Sequence, residues 1–148
     1  KMNKNIDELD LNILKLLQND ARVPYKTIAE KLSVSVPTVT ARVKTLTEKG
    51  IIKGFYTEID RSLMGEGIKA YIDMEVPPAA KEELYAFLKC SPQVSECHRV
   101  TGGYSLLIKA FFKNTADMDK FLNELQRYGR TQTQIVFSSI IEHRGMLS

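Results

Sequence analysis

The sequence is short of several things, and each shortage excludes something. Only two cysteines, Cys90 and Cys97, occur in 148 residues. That is too few for the disulfide framework of a small secreted domain, so the expected compartment is a reducing cytoplasm. No apolar run approaches the roughly eighteen residues that a membrane-spanning helix needs. Lys1 to Asp10 is polar and charged, without the apolar centre of a signal peptide, and Met2 reads as a natural start. Charge of one sign is scarce too: 21 basic against 18 acidic residues leave a formal net charge of +3. A protein that coats nucleic acid by charge alone carries much more. Catalytic and metal signatures are missing as well. There is no Cys-x-x-Cys or His-x-x-x-His spacing, no Gly-x-Ser-x-Gly, no P-loop lysine and no dinucleotide fingerprint. Cys97 and His98 are neighbours on an expected strand and face opposite ways, so with Cys90 and His143 they make no metal site. The expectation is a protein with no enzyme chemistry and no cofactor.

What is present is globular: 43% hydrophobic and 26% charged residues. The charge is unevenly spread. Between Lys26 and Lys53 six basic residues (Lys26, Lys31, Arg42, Lys44, Lys49 and Lys53) stand against Glu30 and Glu48. The same stretch lies within three short helical patterns. In the first, Leu9, Ile13, Leu16 and Leu17 recur at helical spacing behind Asp7, an N-cap with Asp10 three residues on. The second starts at Pro24 and turns Ile28, Ala29 and Leu32 inward. The third is capped by Ser35 and stopped by Gly50, with Val36, Val39, Val43 and Leu46 as its apolar stripe. Its other face carries Thr38, Thr40, Ala41, Arg42, Lys44 and Thr45. Two short helices joined by about three residues, the second presenting small polar and basic side chains, match a helix-turn-helix. Thr and basic side chains without acids suit phosphate oxygens and base edges. Ile51 to Ile59 reads as the strand or ribbon of a wing.

Past Gly65 the period changes to two. Ile68, Ala70, Ile72, Met74 and Val76 alternate with polar neighbours, and Pro77-Pro78 ends the strand. A helix to about Lys89, a weaker strand from Val94 to Thr101, a Gly102-Gly103 turn and a strand from Ser105 to Phe112 follow. A second helix buries Met118, Phe121, Leu122 and Leu125, and a last strand covers about Thr131 to Glu142. Strand, helix, strand, strand, helix, strand is a ferredoxin-like βαββαβ sandwich, so the fold class is α+β. Leu107 and Phe111, with parts of the last strand, point away from the helices. A second copy of the sheet is the expected cover, in an isologous homodimer. The division is residues 1–62, a winged helix-turn-helix with a linker strand, and residues 63–148, the sandwich.

At this point a resemblance becomes specific. Asp7-x-x-Asp10-x-x-Ile13-Leu14-x-x-Leu17, Asp20-Ala21-Arg22 and Ile28-Ala29-x-x-Leu32-Ser33-Val34-Ser35 resemble the leucine-responsive regulatory protein/AsnC family of transcription regulators. So do Val39-x-x-Arg42-Val43-x-x-Leu46-x-Glu48-x-Gly50-Ile51-Ile52-x-Gly54-Phe55, Asp60 and Leu63-x-Gly65. The resemblance implies a cytoplasmic, nucleoid-associated regulator of double-stranded DNA whose sandwich dimerises, assembles further into octamers and senses amino acids. It implies that the third helix enters the major groove, with Ser35, Pro37, Thr38 and Thr40 at bases and Arg42 and Lys44 at phosphates. Arg42 has an alternative, which is to hold the domain together through a carboxylate. The effector pocket of the family draws on the turn Thr101, Gly102, Gly103, Tyr104 and Ser105, and on Thr131 and Thr133. A plain hairpin turn would choose two glycines as well, and threonine suits any strand. The family commonly has an acid where Ser105 stands, suited to an α-ammonium group. Its replacement keeps open a nucleoid-architectural protein that needs no effector. A sensor that acts through protein contacts alone is the third reading, against which the basic third helix argues.

Overall fold

The computed structural model describes residues 6–142, 146 and 147. Three helices come first: α1 (Glu8–Asn19), α2 (Tyr25–Leu32) and α3 (Val36–Glu48). Each begins and ends for a local reason. Asp7 and Asp10 close a reciprocal capping box on α1, each side chain taking the other's backbone N–H at 3.2 and 2.9 Å. Pro24 is the N-cap of α2, one residue earlier than its expected place inside the helix. Ser35 caps α3 by accepting from the Thr38 N–H. At the other end Gly50, at φ 70°, lets Gly50 and Ile51 donate to the carbonyls of Thr47 and Leu46, a complete Schellman closure. Ile13, Leu17, Ile28, Ala29, Val39 and Val43 form the core between the helices. Val36, expected on the inward stripe, is 41% exposed and takes no part in that core.

The expected wing strand is absent. Residues 53–60 form no regular element, with Phe55, Tyr56 and Ile59 exposed. A strand exists only with a neighbour, and this stretch has none among the described residues.

The second half follows the expected order. It comprises β1 (Ile68–Glu75), α4 (Lys81–Cys90), β2 (Val94–Arg99), β3 (Leu106–Phe112), α5 (Thr115–Gln126) and β4 (Arg130–Ile135). A short 3-10 turn, Pro78–Ala80, leads into α4. The sheet is antiparallel in the order β2-β3-β1-β4. Ala70, Ile72 and Met74 of β1 and Leu106, Ile108, Ala110 and Phe112 of β3 bury against Leu84, Leu88, Phe121 and Leu125 of the helices. The Leu, Ile, Met and Phe side chains among them are each worth about 1.5–3 kcal/mol when fully buried.

β4 stops at Ile135, short of the expected end near Glu142. Ile135 pairs with Ala70 and the Val136 N–H still donates to the Lys69 carbonyl at 2.9 Å, so the ladder ends close to the first residue of β1, Ile68. Phe137 and Ile140 then project fully or almost fully into solvent, at 100% and 93% exposure. Leu107 and Phe111 do lie on the face away from the helices, as expected. That face is more polar than the alternation suggested, however. Lys109 pairs with Glu96 at 2.7 Å, Gln134 donates to Asp73 at 2.9 Å, and the Arg61 guanidinium stacks on Phe111 at 4.5 Å. The described residues divide into two compact units, Ile59–Ile140 and a helical unit that ends at Glu58, with which Ile141 and Glu142 group.

Candidate nucleic-acid interface and effector turn

The outward surface of α3 follows from its buried one. With Val39, Val43 and Leu46 turned inward, the exposed ridge is Val36 and Pro37, then Thr40 and Ala41, then Lys44 and Thr45. Lys44 has 75% of its side chain in solvent, and its neighbour Glu48 is 3.9 Å away. Such an exposed pair contributes little, so the ammonium can exchange that partner for a phosphate.

The hydroxyls expected at bases have work within the helix. Ser35 and Thr38 share a hydrogen bond of 2.8 Å while Ser35 caps the helix. Thr40 donates its proton to the Val36 carbonyl at 3.0 Å.

Arg42 is reassigned. Its guanidinium lies against two carboxylates of α1, in an ion pair with Asp7 and at 3.2 Å from Asp10. Asp10 is buried at 5% exposure. The Asp10 backbone N–H, followed by the guanidinium, holds the Asp7 carboxyl below the ordinary carboxylate value of 3.8, and Asp7 pushes Arg42 further up. Arg42 is therefore a clamp between α3 and α1, the alternative that its position left open. The phosphate-contact role does not fit a side chain already held by two acids.

In the second unit, the turn between β2 and β3 holds Thr101, Gly102, Gly103, Tyr104 and Ser105, with Gly102 at φ 116°. Ser105 closes it: its N–H and its hydroxyl both donate to the Met74 carbonyl, at 3.0 and 3.3 Å. Tyr104 reaches across to β4 and donates to Gln132 at 2.7 Å. Thr131 and Thr133, both half-buried, stand opposite Met74 and Ile72. The turn and β4 are thus brought together at one end of β1. Two residues unexpected from sequence meet Tyr104 on the sheet face opposite to that of Thr131 and Thr133: Gln132, and Arg130, whose guanidinium is 5.8 Å from the Tyr104 ring and 3.7 Å from Glu75. No pattern marks a lone glutamine or arginine on an edge strand.

Cys97 pairs with Ile108 on the helix side of the sheet and His98 with Leu107 on the other, so the two point apart. Burial pushes the Cys97 thiol up. Among the described residues no cluster of three or more His, Cys, Asp or Glu side chains is arranged to hold a metal. His143 lies outside the described residues.

Two family matches cover the two parts of the chain in turn. Residues 6–53 match the winged helix-turn-helix DNA-binding family, and residues 69–146 match the Lrp/AsnC ligand-binding domain. The chain belongs to the Lrp/AsnC family. It is similar to the transcriptional regulator LrpC of Bacillus subtilis, at 29% identity over 95% of this chain and 97% of that one. It is 31% identical to the regulator AldR of Mycolicibacterium smegmatis, over 93% of this chain and 84% of the relative. The solved structure of Bacillus subtilis LrpC superposes with a TM-score of 0.88 at 28% identity, covering 93% of this chain and 99% of that one. A regulator of Neisseria meningitidis, solved as a complex with L-Met, shares the fold at a TM-score of 0.87 and 23% identity, over 93% of each chain. As a member of the Lrp/AsnC family, the chain is a DNA-binding transcription regulator. Its N-terminal unit is the winged helix-turn-helix and its C-terminal unit the ligand-binding domain. Among the described residues no helix is long and apolar enough to cross a membrane.

Proposed function

We propose that α3 enters the major groove of double-stranded DNA with its exposed ridge, placing Pro37 and Thr40 at bases and Lys44 at a phosphate. Ser35 and Thr38 cap and stiffen the leading turn. Arg42 acts on DNA through α1, by fixing the angle at which α3 is presented. The turn from Thr101 to Ser105, with Thr131 and Thr133, is the seat of a small metabolite of the amino-acid type. Two chains associate through the sandwich, and such dimers assemble further, in the cytoplasm at the nucleoid. Pairing sets two reading heads about one DNA turn apart, as a palindromic site requires. A ligand that favours one assembly shifts which heads engage neighbouring sites together.

The observation that carries this reading is the free ridge of α3, basic at Lys44 and without an acid until Glu48. A salt titration of DNA binding tests it. Lys44→Ala should weaken binding to all sequences about equally and reduce the salt slope by about one. An unchanged slope removes Lys44 from the interface.

A second reading is favoured by one feature: no acid stands in the turn from Thr101 to Ser105 to receive an ammonium group. It makes the protein an architectural DNA binder without an effector. A thermal-shift screen against the twenty amino acids, with sizing of the oligomer for each hit, separates the two. Stabilisation by any of them supports the sensor, and none supports the architectural role.

A further inference from the structure

The leading two turns of α3 expose four side chains: Val36, Pro37, Thr40 and Ala41. Val36 is anomalous there, a large aliphatic residue 41% exposed on a helix that buries its other large aliphatic side chains, Val39, Val43 and Leu46. None of the four offers a free hydrogen-bond donor. Val36, Pro37 and Ala41 have no polar side-chain atom, and the Thr40 hydroxyl spends its proton on the Val36 carbonyl. That leaves Thr40 a methyl group and an oxygen that can only accept. The nearby arginine is withdrawn, since Arg42 is held by Asp7 and Asp10.

The major-groove edges of the bases divide sharply against such a surface. Guanine presents two acceptors, O6 and N7, and is read by donors, chiefly Arg and Lys. A thymine–adenine pair presents the thymine C5-methyl and the adenine N6 donor. The thymine methyl meets apolar side chains; the Thr40 oxygen can accept from adenine N6, but cytosine N4 is a donor as well, so the methyl alone makes the distinction.

Resting on the reading of α3 as the recognition helix, we propose that its leading turns select thymine–adenine pairs by contact with thymine methyl groups, with Val36 as the specificity-determining residue and Pro37, Thr40 and Ala41 completing the apolar surface. The site is a methyl-reading surface, and the ligand class is duplex DNA with thymines beneath Val36. Lys44, further along the ridge, adds affinity without choosing among bases.

The test uses the full-length protein and duplexes it selects from a random library. Each selected thymine is replaced in turn by deoxyuridine, which removes the C5-methyl and leaves the pairing edge intact. Loss of one buried methyl should weaken binding about fourfold at the positions under α3. In Val36→Ala the same replacement at the position under Val36 should cost nearly nothing, because the partner surface has gone. Cytosine at that position should bind the wild type more weakly than 5-methylcytosine, which restores the methyl on a different base. Deoxyuridine duplexes that bind as well as their thymine parents overturn the proposal, as does a selected motif anchored on guanines under α3. Failure to select or retain any duplex at low salt is a different result: it overturns the recognition-helix reading itself.

Discussion

Ser33 sits at φ 55° and ψ 42° between α2 and α3, in the left-handed region where an L side chain costs about 1–2 kcal/mol. The turn needs that conformation, because it lets the Val34 N–H close α2 on the Ala29 carbonyl at 3.0 Å. Ser33→Gly removes the strain and loosens the unfolded chain, two effects of opposite sign. The net expectation is a gain of about 0.5–1 kcal/mol, read as a melting temperature raised by about 2 °C. A lowered one would give the serine side chain a holding role. Asp7 makes a second prediction. Its folded-state carboxyl lies below its ordinary 3.8, so its contribution to stability is complete above that value. It is lost as the pH falls through the lowered value. Asp7→Asn keeps a good cap and deletes the charge. The wild type should therefore exceed the variant in thermal stability near neutral pH, and the gap should close on acidification. A gap that persists in acid would assign the effect to something other than the carboxylate. At this scale the sequence was partly legible. The spacing of Asp7 and Asp10 announces a cap, and Ser35 announces another. The partner of Arg42 was not legible, since a phosphate and a carboxylate attract a guanidinium alike and Asp7 is 35 positions away.

Strand β1 was readable because five apolar residues alternate from Ile68 to Val76, and period two has few other meanings. The segment from Ile51 to Ile59 has strand-forming residues and yet forms no strand, because pairing is a property of two segments and the pattern displays one. The end of β4 was misjudged for the same reason: its length is set by where β1 starts, not by its own residues. Gly129, just before β4, illustrates what pattern cannot show. A Cβ there would lie 2.0 Å from the Glu75 carbonyl oxygen, a backbone atom that cannot swing aside. Gly129→Ala should therefore push β4 away from the end of β1 and cost about 3 kcal/mol in denaturant unfolding. A loss below about 1 kcal/mol would mean that the turn relaxes freely.

Across the whole molecule the presence of two units was legible from the change of hydrophobic period near Gly65, although the first unit ends at Glu58 and not at residue 62. The outward apolar residues were legible too, but not the polar pairs that share their face. The sheet face away from the helices is laced with ion pairs, and the large exposed side chains Phe137 and Ile140 lie just beyond β4. If a second copy covers them, Phe137→Asp should raise the dimer dissociation constant by at least about tenfold in sedimentation. Its effect on the unfolding of the separated chain should be small, because Phe137 is fully exposed there. Unchanged association would place the contact elsewhere. One feature of the helical unit reaches beyond any single assay. Arg42 is the single cation between Asp7 and Asp10 across two helices, so its loss alone strands two carboxylates, one of them buried. Through descent, these positions should be inherited as one character: retained together, or replaced together by an uncharged set. Variants that break this rule should be recovered with a second change in α1 or α3, and DNA binding should return with it.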